Sequence, residues 1–369
     1  MTRDSVLELV LVSTPIGYLG SGRGGGVELT MRSLIKGLLS LGHKIILIAP
    51  EGSVLPSDCS DAEIRHVAGI DQPSWQHQEA SAPVVIPPDG VLLGLWEQAL
   101  DKGRSSDAVL NFSYDWLPIW LTSRVDANLF HLISMGAVSQ VMKTLIGDLS
   151  KSDPDRLAFH TYRQAADYEL SIKPIVVGNG FELENYDFQP NGGGPLGWAG
   201  RIAPEKGLED AVAVAASLGD RLVVWGVMED SKYAAEVEAK FPSGTIDWRG
   251  FLPTSELQKQ MRECRALLNT PKWNEAYGNV VVEAMACGVP VVAYDRGGPG
   301  ELIESGLTGF LVPPDDVSAL TLAASRVDII DRRECRNWVQ NFASHDGFAR
   351  RVEEWLQEGL KATKLKVVD

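Results

Sequence analysis

Residues 6–13, VLELVLVS, are apolar except at Glu8 and Ser13. A run so rich in β-branched residues and leucine predicts a strand buried on both faces, as in a parallel sheet. Past a glycine-rich loop, apolar side chains recur at helical spacing at Val27, Met31, Leu34, Ile35, Leu38 and Leu39. That helix should stop at Gly42, which stands where a left-handed closing glycine is favoured. HKIILIAP (43–50) reads as the next strand. Strand, helix and strand within fifty residues make a βαβ unit. Further on, GVLLGLWEQALDKG has a helical pattern, and DAVLNFS, ANLFHLIS and KPIVVGNG read as strands. Residues 52–105 are otherwise Pro-rich and show no clear periodicity.

A second series begins at residue 198. Strands RLVVWG, IDWRGF, ALLNT and VPVVAYD alternate with helices SKYAAEVEAKF, TSELQKQMREC and a helix near GNVVVEAMACG. Such alternation marks a doubly wound sheet, so the chain is expected to be α/β, with two Rossmann-like domains in tandem. The polar, Gly/Pro-rich stretch FQPNGGGPLG (188–197) is the expected linker, dividing residues 1–187 from 198–343. The amphipathic HDGFARRVEEWLQEGL lies in a final segment, 344–369, expected as a helix returning to the first domain. Ligands bind outside the carboxyl ends of parallel strands, so two facing domains are expected to hold theirs in a cleft.

Composition narrows the function. A formal net charge of −15 argues against a general nucleic-acid binder, which needs a surplus of Lys and Arg. No apolar run is long enough to span a bilayer, and the first domain has no Lys/Arg-rich amphipathic helix, so membrane association is expected to be weak or absent. The four cysteines form no C-x-x-C pair, which disfavours a zinc site or a disulfide framework. With no signal-peptide pattern in MTRDSVLELVLVST, a cytoplasmic protein is expected.

IGYLGSGRGGGVELT contains G-x-G-x-x-G at Gly20, Gly22 and Gly25, a dinucleotide-binding spacing. Six residues separate Ser13 from Gly20, longer than such a turn allows, while Glu51 stands near the place of a ribose-binding acid. A flexible surface loop is a second reading. A third uses Gly25 and Gly26, whose bare N–H groups at a helix start favour an anion. The loop alone does not choose among these.

The second domain carries more. WAGRIAPEKG sets Arg201 and Lys206 on a loop at a strand end, a planar fork and a mobile point charge that suit a diphosphate. NEAYGNVVVEAMACG places Glu275 on an approach loop and Glu283 one turn inside a helix. The backbone N–H groups of Gly278, Asn279 and Val280 open at that helix start. A lone Glu283 in so apolar a run needs a reason, and binding a ribose diol is one. Carboxylates for hydroxyls and a helix start for phosphate together suit a nucleotide sugar.

WAGR…EKG, GFLPTSEL and EAYGNVVVEAMACGVPVVAYDRGGPGELIESGLTGFLVPPDD, with VVGNGFELENYDF and GGGVE, resemble the retaining glycosyltransferases of family four. The resemblance implies the GT-B fold, two Rossmann-like doubly wound domains facing across a cleft. It implies that Arg201 and Lys206 hold a donor diphosphate, that Glu275 hydrogen-bonds the sugar, and that Glu283 binds the ribose. Gly25 and Gly26 then approach the diphosphate, Phe251 and Leu252 lie by the base, and His131 lies near the sugar at a strand end. It further implies retention, polysaccharide synthesis, no metal and no cofactor. The donor is a nucleotide sugar, with UDP-glucose the first expectation and GDP- or ADP-sugars behind it. A saccharide or lipid-linked saccharide would be the acceptor, with Trp75, Tyr114 and Trp116 available for stacking. The alternatives are a UDP-sugar epimerase of GT-B fold, an NAD-dependent oxidoreductase, or a sugar-nucleotide sensor without activity.

Overall fold

The apolar runs become parallel strands buried on both faces, and they sort into two separate sheets. The computed structural model describes residues 6–21, 25–75 and 78–366. Its first sheet comprises β1 (Glu8–Val12), β2 (Lys44–Pro50), β3 (Glu63–Val67), β4 (Ala108–Asn111), β5 (Leu129–Ile133), β6 (Leu157–Phe159) and β7 (Ile175–Val176). Their spatial order is β3-β2-β1-β4-β5-β6-β7, and every pairing is parallel. The second sheet holds β8 (Leu196–Ala199), β9 (Leu222–Trp225), β10 (Ile246–Gly250), β11 (Ala266–Asn269), β12 (Val291–Tyr294) and β13 (Gly309–Val312), in the order β10-β9-β8-β11-β12-β13. In each sheet the strand order reverses beside the first strand, between β1 and β4 and between β8 and β11. Those reversals are the switch points where doubly wound sheets place ligands.

Two compact units result, Met1–Phe181 with His345–Asp369, and Glu182–Ser344. In the first, the last helix (His345–Lys366) packs on the first (Gly26–Ser40). Close approach is possible because Gly37 has no side chain; a Cβ there would stand 2.6 Å from that of Ala349. Phe348, Val352, Trp355 and Leu356 thereby join the core formed by Leu9, Leu11, Met31 and Leu34. Arg351 Nε donates to the Val177 carbonyl at 2.6 Å, and Trp355 Nε1 to that of Asp155 at 2.8 Å.

The stretch 188–197, expected as a linker, instead lies within the second unit. Gln189 N–H donates to the Cys287 carbonyl at 3.0 Å and Gly194 N–H to that of Glu263 at 3.1 Å. Arg332 Nε donates to the Gln189 carbonyl at 2.7 Å. The glycines serve close packing here, and Leu196 and Gly197 already belong to β8. All four cysteines are free and buried. Among the described residues, no helix is long and apolar enough to cross a membrane.

The opening glycine motif is also resolved in part. The chain leaves β1 at Val12 and enters the first helix only at Gly26. Gly20 N–H donates to Glu28 Oε2 at 2.8 Å and Ser21 Oγ to Glu28 Oε1 at 3.2 Å, so the loop folds back on its own helix. The amide that a dinucleotide turn would use is thus taken by Glu28. Gly22 lies outside the described residues. Gly25 takes φ 56° ahead of the helix with open space around it, and Gly26 begins the helix.

Candidate active site

At the switch point of the second unit, β8 leads into Gly200–Arg201 and β11 into Thr270. A short 3-10 turn, Pro204–Lys206, is closed by Gly207 in the left-handed region at φ 64°. A side chain at Gly207 would strike the Thr270 carbonyl oxygen, so glycine lets the EKG turn lie against the end of β11. Buried Thr270 ties these strands together: its hydroxyl donates to the Gly207 carbonyl at 2.8 Å and accepts from Trp198 Nε1 at 3.2 Å. Lys272 N–H donates to the Glu205 carbonyl at 2.8 Å.

This packing brings Lys206 to Glu275. The ammonium donates to Glu275 Oε1, which also accepts from Trp273 Nε1 at 3.0 Å. Lys206 Nζ stands 5.0 Å from the centre of the Trp273 ring. Burial alone would raise the Glu275 pKa, but Lys206, Trp273 and Arg201 outweigh it and hold the carboxyl below its ordinary range. Arg201 is also paired: Nη1 donates to Glu229 at 2.7 and 2.8 Å, and Nη2 to Glu205 at 2.7 Å. The two cations expected to hold a diphosphate are thus each paired with carboxylates. Sequence reading missed Glu205, Glu229 and Trp273 as members of this cluster, although Glu205 and Trp273 stand within four residues of Arg201 and Glu275.

The helix Asn279–Ala286 starts beside this cluster. Gly278 precedes it at φ 103°, and no side chain caps it. The N–H groups of Gly278 and Val280 have no acceptor among the described residues, as the first turn of a helix leaves them. Asn279 opens the helix. The approach loop is pressed against Gly297 and Gly298; Gly298 N–H donates to the Glu275 carbonyl at 2.7 Å. One turn inside the helix, Glu283 is only 8% exposed, and burial raises its pKa. Phe251 is exposed just beyond β10, and Leu252 follows half-buried. Val227 and Met228, exposed apolar residues beyond β9, were missed by sequence reading because nothing in their spacing marks them.

His131 is a correction. It sits in the middle of β5, 0% exposed, with both ring nitrogens engaged: Nδ1 to Asn111 Nδ2 at 3.1 Å and Nε2 to Thr122 Oγ1 at 2.7 Å. Asn111 offers only its amide group there, so Nδ1 accepts and Nε2–H donates. Burial drives its pKa down to about 3, which keeps it neutral. A buried histidine with both nitrogens satisfied holds β4 to β5; it is not exposed to a sugar.

At the first unit's own switch point, Asp115 follows β4 and is 1% exposed. Neither carboxylate oxygen has a hydrogen-bond partner among the described residues. Burial pushes its pKa up to about 6, against a smaller lowering pull from the N–H groups of Leu117 and Trp116 and the Trp75 indole. The folded state therefore binds this proton more tightly than the unfolded chain does. The benefit is complete below about pH 4 and lost as pH rises through about 6, a cost on the order of 2–3 kcal/mol at pH 7. Asp115→Asn is expected to raise the thermal midpoint at pH 7 and to change it little at pH 4. Equal shifts at both pH values in a thermal melt would contradict a buried charge at this position.

Residues 196–345 match the family model described as "Glycosyl transferases group 1". A 2-deoxystreptamine N-acetyl-D-glucosaminyltransferase of Streptomyces fradiae is 37% identical over 161 residues, 42% of this chain and 38% of that protein. A GDP-mannose-dependent alpha-mannosyltransferase of Mycobacterium tuberculosis is 32% identical over 161 residues, covering 41% of each chain. The chain thus spans about two-fifths of the length of these curated relatives. Among solved structures, a glycosyltransferase involved in avilamycin A biosynthesis superposes with TM-score 0.69 at 19% identity, covering 96% of this chain and 98% of that one. The Anabaena protein HepE in complex with UDP-glucose superposes with TM-score 0.72 at 17% identity, covering 95% and 100%. At these identities the structural likeness shows the fold alone. The chain has the fold class of the GT-B glycosyltransferases, and its residues 196–345, nearly the whole of the second unit, match the glycosyl transferases group 1 model.

Proposed function

We propose that this protein is a metal-independent retaining glycosyltransferase of family four that moves a hexose from a nucleotide sugar to a saccharide or lipid-linked saccharide in polysaccharide synthesis. The observation that carries the reading is the gathering of Arg201, Lys206, Glu275 and the uncapped helix start at Gly278 around one switch point. A diphosphate there would take Lys206 and Arg201 as counter-charges and the Gly278 and Val280 amides as donors. Glu275, kept ionised by Lys206, accepts from a sugar hydroxyl, and Glu283 accepts from the ribose. Phe251 and Leu252 border the base, with Val227 and Met228 as apolar neighbours.

The chemistry asked of these residues is electrostatic. As the glycosidic bond to the diphosphate lengthens, negative charge grows on the leaving oxygen, and Lys206 and Arg201 stabilise it without a metal ion. Retention needs no enzymic nucleophile if the acceptor attacks the face from which the diphosphate departs. Its proton then passes to a phosphate oxygen. Turnover is expected to persist in excess EDTA. The first unit is left for the acceptor; of the aromatic residues expected to stack on it, Trp75 and Tyr114 are instead buried in the core of that unit, and Trp116 is half-buried against them. UDP-glucose is the first donor to try, since HepE is described in complex with it. The mycobacterial relative is named for GDP-mannose, so GDP-sugars come second. The transferases named above lend no support to the epimerase alternative.

A thermal-shift screen against UDP-, GDP- and ADP-sugars and NADH tests the proposal. One nucleotide sugar is expected to raise the melting temperature, because a ligand of the folded state stabilises it. Stabilisation by NADH alone would overturn the reading.

A further inference from the structure

Glu283 can accept from a ribose hydroxyl only if one of its carboxylate oxygens is left free of partners within the fold and held in place, and its own run, VVVEAMA, supplies nothing to arrange this. The arrangement comes from a residue 97 positions earlier. Tyr186, 5% exposed, donates its hydroxyl to Glu283 Oε1 at 3.1 Å. The other oxygen, Oε2, makes no hydrogen bond among the described residues.

The tyrosine is itself pinned. It follows the 3-10 turn Leu183–Asn185. Arg336, on the helix Arg332–Phe342, donates from Nη1 to the carbonyls of Tyr186 (3.0 Å) and Ala286 (2.6 Å), and from Nη2 to that of Leu183 (3.1 Å). One guanidinium thus ties the tyrosine's backbone to the carboxyl end of the helix that carries Glu283. Burial keeps the phenol far from ionising, so the hydroxyl retains the proton it donates to Glu283. A donor on Oε1 leaves one carboxylate oxygen for the ligand and fixes the plane in which it is offered.

We infer that Tyr186 is a positioning residue for nucleotide-ribose recognition: through Glu283 Oε1 it aims Oε2 at the ribose hydroxyls and sets the preference for a ribonucleotide over its deoxy form. The inference rests on the reading of Glu283 as the ribose ligand. Tyr186 touches no ligand itself, so its effect is on discrimination and not on turnover.

The test is calorimetric binding of UDP and 2′-deoxy-UDP to the full chain. Wild type is expected to prefer UDP by about tenfold or more, the discrimination of one charge-assisted hydrogen bond. Tyr186→Phe should bring that ratio to within about threefold of one by weakening UDP, leaving 2′-deoxy-UDP nearly unchanged. Glu283→Gln should collapse the ratio as well. If Glu283→Gln keeps the wild-type ratio, Glu283 is not the ribose ligand and the underlying reading fails. If Glu283→Gln collapses it and Tyr186→Phe keeps it, only the positioning role fails. The double variant leaves no buried charge unpaired and stands in for a poorly folding Tyr186→Phe. Its ratio should equal that of Glu283→Gln, and a further fall would mean that Tyr186 acts independently, which overturns the inference.

Discussion

Lys206→Ala is expected to lower kcat by at least about 100-fold and to weaken binding of the nucleoside diphosphate, with the fold retained. Removing one preorganised donor from developing negative charge commonly costs about 10²- to 10³-fold in turnover. Lys206 has a second task, which adds to the effect. Its ammonium is the partner that keeps buried Glu275 ionised; without it, desolvation is opposed only by Trp273 and Arg201. Glu275 then rises toward protonation and loses part of its strength as an acceptor for a sugar hydroxyl. Lys206→Arg should restore the charge but not the reach, because the EKG turn is held tightly against β11 and a planar fork cannot replace a point charge there. Steady-state kinetics with donor varied, beside a thermal melt of each variant, provide the check. Kinetics within about threefold of wild type for a folded Lys206→Ala would remove the diphosphate from this site.

Gly226→Ala is expected to have the largest effect on stability. Gly226 directly follows β9 at φ 146°, and its N–H donates to the Gly250 carbonyl at 2.9 Å, while Gly200 N–H donates to the Trp225 carbonyl at 3.0 Å. The ends of β8, β9 and β10 are thus drawn together just where Arg201 leaves the sheet. A methyl group on Gly226 would land on the Gly200 carbonyl, a backbone atom that cannot step aside without moving Arg201. Backbone strain and overpacking together cost about 3 kcal/mol or more. For a 369-residue chain that corresponds to a fall of roughly 4 °C in the melting temperature. Gly219→Ala is the control: its φ of 65° is equally left-handed, but nothing lies within 4 Å of the new Cβ. It should cost only about 1 kcal/mol. If the two variants melt together, contact with Gly200 is not what requires glycine at 226.

Legibility in the sequence followed burial. Strands β1, β2, β4, β5, β9, β11 and β12 are covered on both faces, so they are continuous apolar runs and were readable. Strand β3, with Glu63, Arg65 and His66, lies at a sheet edge and borrows its conformation from β2; its own pattern is that of a loop. The linker was misread because Gly and Pro indicate flexibility in isolation, whereas Gly192 and Gly194 leave room for Arg332 and the Glu263 carbonyl. His131 was misplaced for a related reason: a strand residue shows its type in the sequence but not how deeply its ring is covered.

By itself, the sequence determined that this chain builds two parallel α/β sheets and that residues 196–345 match the glycosyl transferases group 1 model, because periodicity and short-range motifs are properties of neighbouring residues. Only the tertiary structure decided which polar groups meet: Lys206 with Glu275, 69 residues apart, Arg201 with Glu229, 28 apart, and Tyr186 with Glu283, 97 apart. Such pairings depend on strand order and on glycines that let backbones touch, and these take effect only once the sheet has closed.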